Sequence, residues 1–597
     1  MLKLKNLLIL QQLKKKNFFL LIILFLFASI IDIIGVVSIF PFISILTNLE
    51  LIETNKYLNF IYRSSFSLGI KDLEEFLFIF GLLVFFLFIT SITSRALVQH
   101  KITKFAFDCE YELSKKLIEN YLHRPYVWFL NQNSSNLSKN VLLEVSQVTS
   151  QYLIPVMNIF VQTIIIIAIF IILFIVDYLS AIILTSVFIL SFSLVFVIIK
   201  KFLINLGLEA ARANKERFFL VNEGLSGIKE LKVRGLEQFY INRFDNPAKI
   251  YSNNQSLAQT LGFAPRYLLE AIGFGSLIIL ILVLMSKGKN FQNIIPVISL
   301  YAFAGYRLLP SIQQIYSSIT QIRFSKTITS NLTEDLSHTR SINDSSVDNS
   351  ILFKEYFELK NISFSYLNQK NVLLKNINMR ISYLSRAGII GDSGSGKTTL
   401  IDLIIGLLDP TEGTLSVDGK IIDSKNKKSW QKILGYAPQQ IYLSDSNIAA
   451  NIAYGIDGEK IDLERVKQVA KIVNMHDFIS KELPNQYLSR IGERGVKFSG
   501  GQRQRLGIAR ALYHQPKVLI LDEATNALDN SSEEIINEAI DRLDYKITTI
   551  QVSHRINSLK YCDSIFLLSN GKLKLMGDYK NFLKSNESFQ MFKKFNL

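Results

Sequence analysis

The sequence predicts two architectures in series: an α-helical transmembrane domain of six spans, then an α/β domain built around a phosphate-binding loop. Three observations lead there. Six apolar stretches of about the length needed to cross a bilayer fall within the first 320 residues. From about residue 357 the pattern changes to short β-rich runs alternating with helical stretches. Within that second part, "GDSGSGKT" (391–398) follows one such run and opens a helix.

A chain of 597 residues exceeds one ordinary core, so two or more domains are expected. Half the residues are hydrophobic (49%), and Phe (43) far outnumbers Trp (2). The net charge of +16 fits a membrane protein, whose Lys and Arg gather in cytoplasmic loops, better than a nucleic-acid binder. No nucleic acid is expected as a partner. Cys109 and Cys562 cannot make a disulfide framework and read as two reduced thiols.

The apolar stretches lie near 17–44, 75–97, 158–176, 179–199, 263–286 and 291–312. The first is too long for a signal core and reads as a retained span. The sixth is diluted by Tyr301, Tyr306, Arg307 and Pro310. The two intervals after spans two and four are long and basic, which places them in the cytoplasm with the N-terminus. Both carry apolar residues at helical spacing, as in "FDCEYELSKKLIENYL", so the spans continue as long cytoplasmic helices. Segment 53–66 reads as a short amphipathic helix on the outer surface or as a loop. Residues 1–323 are therefore assigned to the membrane domain, the polar stretch 324–355 to a linker, and 356–597 to the nucleotide domain.

In the phosphate loop, the glycines let backbone N–H groups face phosphates at a helix N-terminus, where the dipole favours anions. The loop offers Gly391, Asp392, Ser393, Gly394, Ser395 and Gly396, followed by Lys397, Thr398 and Thr399. Lys397 is expected to reach the β- and γ-phosphates of ATP, and the Thr398 hydroxyl to ligate Mg²⁺. "KVLILDEATNALD" is an apolar strand running into two acids; Asp522 is expected to face the metal and Glu523 an attacking water.

A second glycine-rich loop, "GVKFSGGQRQRLGIAR" (495–510), lies between these motifs. Ser499, Gly500, Gly501 and Gln502 resemble the signature of ATP-binding cassette (ABC) domains, with Phe498 where Leu is usual. The resemblance covers nearly all of 357–580. It implies that Tyr366 stacks on adenine, that Gln439 is the Q-loop glutamine touching Mg²⁺ and the membrane domain, and that "IGERG" (491–495) contacts the membrane helices. It further implies that Asp529 belongs to the D-loop, with Asn526 where Ser is commoner, and that His554 holds the γ-phosphate. In the family, the signature closes over ATP held by a partner's phosphate loop. One chain thus has two half-sites, and the resemblance implies a homodimer.

Six spans ahead of one cassette resemble the ABC exporter fold, with "HRPYVWFLNQNSSNLSKNVLLE" (123–144) and 222–244 similar to its coupling regions. Asn133 and Asn136 begin N-x-S triplets, but the loop is placed inside the cell, so glycosylation is not expected. "NSSNLSK" with Glu144, "PRYLLEAIGFG" and "YRLLPS" are similar to PglK-type bacterial flippases of lipid-linked oligosaccharides. That resemblance implies a bacterial inner-membrane protein whose cassette is cytoplasmic, with membrane lipids and a lipid-linked glycan as partners. Arg95, Arg266 and Arg307 lie in or near the spans. They either fix packing, as in an Arg266–Glu270 pair four residues apart, or line a path for an anionic head group. The alternative cargoes are lipids, drugs or peptides. A decayed regulator would lack Glu523 or His554, and both are present.

Overall fold

The computed structural model describes residues 15–47, 49, 51–66, 72–176, 178–286, 291–337, 351–366, 372–492, 495–525, 530–541, 543, 547–553 and 555–584. The chain divides into two compact units, 1–124 with 131–342, and 125–130 with 343–597.

The first unit is helical. Its elements are α1 (Lys15–Val37), α2 (Ile39–Thr47), α3 (Lys56–Phe66) and α4 (Leu73–Leu122). After the short helix α5 (Tyr126–Leu130), which belongs to the second unit, follow α6 (Ile154–Val176), α7 (Tyr178–Ser226), α8 (Ile228–Arg234), α9 (Glu237–Ser286), α10 (Phe291–Phe324) and α11 (Lys326–Ser337). Helix lies over each of the six apolar stretches read from the sequence. Among the described residues, three runs (Phe19–Thr47, Leu73–Leu122 and Ser134–Ile175) are long and apolar enough to cross a membrane.

Helices α4, α7 and α9 have 50, 49 and 50 residues. At 1.5 Å per residue each is about 75 Å long, more than twice a hydrocarbon core of about 30 Å. The apolar stretches do continue as long helices. Their core stacks Ile165, Ile169 and Leu173 of α6 against Leu300 and Leu308 of α10, with Phe25 and Ile102 from α1 and α4. Gly207 of α7 permits the closest crossing: a Cβ there would stand 2.0 Å from the Phe324 carbonyl oxygen of α10. Segment 53–66 is helical apart from a break at Asn55, with Tyr57 and Phe60 exposed.

The stretch 324–355 is not a linker throughout. Residues 326–337 form α11 because Ile328, Leu332 and Leu336, at helical spacing, bury on one face, and Tyr121 donates to Asp335 at 2.7 Å. At the other end, Ile351 and Phe353 join the core of the second unit.

That unit contains two sheets. An antiparallel one orders β2 (Leu374–Ser382), β1 (Tyr356–Phe364), β4 (Glu412–Val417) and β5 (Lys420–Ile421). The other is six-stranded: β10 (Lys572–Gly577), β9 (Ser564–Ser569), β3 (Arg386–Gly391), β8 (Thr548–Val552), β7 (Val518–Asp522) and β6 (Leu434–Ala437). All its neighbours are parallel except β10–β9. Strands β7 and β8 are buried at every position, as central strands of a covered parallel sheet should be. Register aligns Ile389 and Asp522 with Val552, and Ala437 with Leu521. The carboxyl ends of four adjacent strands therefore share one edge, where open α/β sheets bind ligands.

Candidate nucleotide half-site and membrane-domain charges

The sheet edge explains why residues more than a hundred positions apart converge. Strand β3 ends in Gly391 and the phosphate loop, which feeds α12 (Lys397–Ile405). Strand β7 ends at Asp522, β6 ends two residues before Gln439, and β8 ends two residues before His554. His554 lies outside the described residues, as do Asn526, Asp529 and the Glu493–Arg494 pair within "IGERG".

The loop has the predicted shape. Gly394 and Gly396 have φ of 79° and 102°, where a side chain is strained, and Ser395 N–H donates to the Asp392 carbonyl at 3.1 Å. Gly391 is needed for space, since a Cβ would meet the Leu568 carbonyl oxygen at 2.3 Å. Lys397 Nζ donates to the Gly391 and Asp392 carbonyls at 2.9 and 3.0 Å. Its pKa is lowered by burial, against the opposing pull of Glu523, Asp392 and Asp522. Ser393, Gly394 and Thr398 are exposed. Thr399 is buried, and its hydroxyl is 3.0 Å from the hydroxyl of Tyr366. Tyr366 is half-buried, edge-on to Phe364.

The acids stand at the end of β7, within electrostatic reach of the loop's lysine. Asp522 is buried, and burial first, then the charge of Glu523, raises its pKa. The Tyr436 hydroxyl, 3.4 Å away, and Lys397 oppose that rise. Glu523 has φ 51°, a left-handed conformation unfavourable for a residue that is not glycine. Its N–H donates to the Val552 carbonyl at 3.1 Å, and its Oε2 accepts from Gln439 Nε2 at 2.7 Å. Thus Lys397, Gln439, Asp522 and Glu523 are brought together. The donors, acids and glycine conformations fit a magnesium–nucleotide phosphate chain.

Three neighbours were not read from the sequence. Asp402, inside the apolar run of α12, has its pKa raised to about 6 by burial and by Asp522. Tyr436 carries the bond to Asp522. Tyr126 of α5 lies within this unit, where burial and then Asp402 and Tyr366 raise its pKa, while Val127 packs into the core beside Tyr366 and Tyr436. An acid interrupting "TTLIDLIIGLL" was the available signal for Asp402.

Ser499, Gly500, Gly501 and Gln502 form the head of α13 (Gly500–Tyr513). Ser499 Oγ accepts from Gln502 N–H at 3.2 Å, and Gln502 Oε1 accepts from Ser499 N–H at 2.9 Å, a reciprocal capping box. Phe498 is buried against Phe478, ring centroids 6.0 Å apart. This helix packs in a mostly helical cluster that also takes Leu519 and Leu521 of β7, whereas α12 packs in the cluster that takes Val518 and Ile520 of the same strand.

In the first unit, the three arginines part company. Arg266 is exposed and pairs with Glu270 at 2.7 Å, one turn along the same helix. Arg95 and Arg307 meet instead on Asp32, which is 2% exposed; Arg95 Nε is 3.2 Å from it, and Arg307 bonds its other oxygen. Ser91 donates to Asp32 at 2.5 Å. The sequence reading missed Asp32, although an acid inside "FASIIDIIG" carried the same signal as the arginines. The motif residues near 133–144 have structural roles: Asn133 caps the helix Ser134–Lys139 through Ser135 N–H at 3.0 Å, and Lys139 pairs with Glu144 at 2.7 Å out of solvent. Short helices α5 and α8 lie within the two regions read as coupling segments.

Residues 17–304 match the ABC transporter transmembrane region family, and residues 374–526 the ABC transporter family. An ATP-dependent lipid A-core flippase of Saccharophagus degradans is 41% identical over 226 residues, 38% of each chain. The heterocyst differentiation ATP-binding protein HepA of Nostoc is 32% identical over 63% of this chain and 61% of that protein. ABC transporter B family member 14 of Arabidopsis thaliana is 39% identical over 39% of this chain and 18% of its own length. The chain therefore aligns with less than two thirds of each of these relatives. A bacterial Atm1-family ABC exporter solved with ATP bound superposes with a TM-score of 0.78 over 97% of this chain and 98% of that one, at 21% identity, a likeness of fold. With a transmembrane-region match in one unit and a cassette match in the other, the chain joins the two parts of an ABC transporter and has the ABC exporter fold along nearly its whole length.

Proposed function

We propose that this chain hydrolyses ATP to drive transport, works as a homodimer, and flips a lipid-linked oligosaccharide or related glycolipid across the bacterial inner membrane. The observation that carries the ATPase reading is the convergence of Lys397, Asp522, Glu523 and Gln439 at one sheet edge, with Gln439 bonded to the carboxylate of Glu523. ATP binds along Gly391–Thr399, its adenine against Tyr366. Thr398, Gln439 and Asp522 would hold Mg²⁺, which when bound offsets phosphate charge. Lys397 orients the β- and γ-phosphates, Glu523 takes the proton from the attacking water, and His554 holds the γ-phosphate. Ser499–Gln502 close the site of the partner copy.

Two features support the dimer. The signature helix carries its own cap and presents Ser499 and Gly500 to solvent. Helix α8 exposes Ile228 and Val233, apolar side chains suited to covering by a second copy. The glycan-lipid cargo rests on the PglK-type resemblance, on the similarity to a lipid A-core flippase, and on Arg95 and Arg307 facing one cavity. Arg266, paired within its own helix, is the weakest member of the proposed path.

Reconstitution in liposomes with candidate lipid-linked sugars tests both halves. ATP turnover and glycan sidedness are read together. Turnover with ATP-dependent glycan movement is expected. Turnover without movement of any lipid-linked sugar transfers the cargo to lipids, drugs or peptides.

A further inference from the structure

The helical unit encloses a cavity of about 310 Å³ lined by Asp32, Arg95, Gln99, Asn158, Gln162 and Arg307, among apolar neighbours. Its wall holds two guanidinium groups and one carboxylate. Asp32 accepts from Ser91 and Arg307 and faces Arg95 at 3.2 Å, partners from two other helices, so each of its oxygens has a partner. The arginines are not fully matched: Nε of Arg307 is buried with no hydrogen-bond acceptor, Nε of Arg95, though 3.2 Å from Asp32, makes no hydrogen bond to it, and the amide oxygen of Gln162 is buried with no donor. One carboxylate cannot satisfy two five-donor forks. The site is short of acceptor oxygens and keeps one net positive charge.

We propose that Asp32 is a resident counter-anion that sets specificity: a phosphate-bearing head group enters this cavity by competing with Asp32 for Arg95 and Arg307. This rests on the flippase reading above and deepens it. A phosphate offers more acceptor oxygens than a carboxylate and suits the planar guanidinium forks. A zwitterionic head group brings its own cation beside the arginines and gains less. The built-in competitor thus rejects weak anions at the cost of affinity for the right one.

The probe is spin-labelled phosphatidic acid, with spin-labelled phosphatidylcholine as reference, in phosphatidylcholine liposomes holding the full chain without ATP. The measured quantity is the selectivity for the first lipid in the motionally restricted fraction. Wild type is expected to prefer phosphatidic acid, Asp32→Asn to raise that preference by about three- to ten-fold, and Arg307→Gln to abolish it. Thermal unfolding is followed on the same samples. If Asp32→Asn does not fold, Arg95→Gln is compared with the double variant Asp32→Asn/Arg95→Gln, which regains a net positive charge and must prefer phosphatidic acid more strongly. Inorganic phosphate that displaces the labelled lipid only from proteins keeping Arg307 supports the same site and adds a soluble source for its anion. A folded Asp32→Asn protein with wild-type selectivity, or a double variant equal to Arg95→Gln, overturns the proposal. Because no step needs ATP, failure here leaves the ATP-driven reading standing, and absence of ATP turnover leaves this one standing.

Discussion

Two glycine-rich loops in the cassette each open a helix, and they end differently. The phosphate loop leads into α12 through Gly396, which has no side chain to cap the first turn, and Lys397 folds back over the loop's carbonyls. The signature leads into α13 through Ser499, whose hydroxyl and the Gln502 amide satisfy each other's backbone. One helix N-terminus is left open for an anion among acids and a lysine. The other carries its own cap and is exposed at Ser499 and Gly500. A loop proposed to bind its own ligand needs converging chemistry around it; a loop proposed to close a partner's site needs only a firm shape.

The largest expected effect tests the first loop's surroundings. Glu523→Gln keeps the shape and can keep a bond to Gln439, but the amide is no base. ATP turnover should fall by about 10²–10⁴ with ATP binding retained. Near wild-type turnover would remove Glu523 from the role of base and make its left-handed turn merely structural.

The second test sets the loops against each other. Lys397→Ala damages the phosphate loop, and Ser499→Arg damages the signature. A mixed dimer of the two single variants puts both lesions in one composite site and leaves the other intact. A double-mutant chain paired with wild type damages both sites. Nucleotide trapping in the first mixture, at about half the wild-type stoichiometry, and none in the second is expected for shared sites. The reverse pattern, none in the first mixture and about half in the second, would mean that each chain serves its own nucleotide, and the comparison of the loops would collapse.

These contrasts also mark what the sequence could tell. The phosphate loop, the Asp522–Glu523 strand end and the signature are short local patterns, and a parallel sheet turns such patterns into one edge. Gln439 needed only the strand order to reach Glu523. In the helical unit, the partner of an intramembrane charge depends on which helices pack, and no spacing encodes that. Arg266 and Glu270, four apart, were legible as a pair; Asp32, Arg95 and Arg307, on three helices, were not. The helix 326–337 was missed because its polar composition outweighed three buried apolar residues at helical spacing.

A third, smaller effect separates the open helix from the capped one by pH. Asp402 sits in α12 with its pKa raised to about 6, above the ordinary 3.8. A carboxyl whose folded pKa lies above its unfolded value favours folding at acid pH, and that advantage is lost as pH rises from about 4 through 6. At neutral pH the buried charge beside Asp522 is a liability. Asp402→Asn should stabilise the nucleotide-free protein at pH 7.5 by on the order of 2 kcal/mol and change little at pH 4. The measurement is thermal unfolding with chelator present. An equal shift at both pH values would trace the effect to packing instead of charge.

The smallest effect concerns the signature's one departure from the usual residue. Phe498 fills a site in the helical cluster against Phe478, and Arg503 Nη1 donates to its carbonyl at 2.9 Å. Its role is therefore to anchor the loop from beneath. Phe498→Leu loses the aromatic pair and some volume, while the backbone bond and the Ser499–Gln502 cap remain. Stability should fall by about 1 kcal/mol, within the range for an edge-to-face pair and a modest change of core volume. ATP turnover per folded protein should stay within about two-fold of wild type, because a 1.4 kcal/mol change in the barrier would be needed for ten-fold. A large loss of turnover at unchanged stability would show that Phe498 sets the aim of the signature. The capped loop would then depend on its support as much as the open loop depends on its acids.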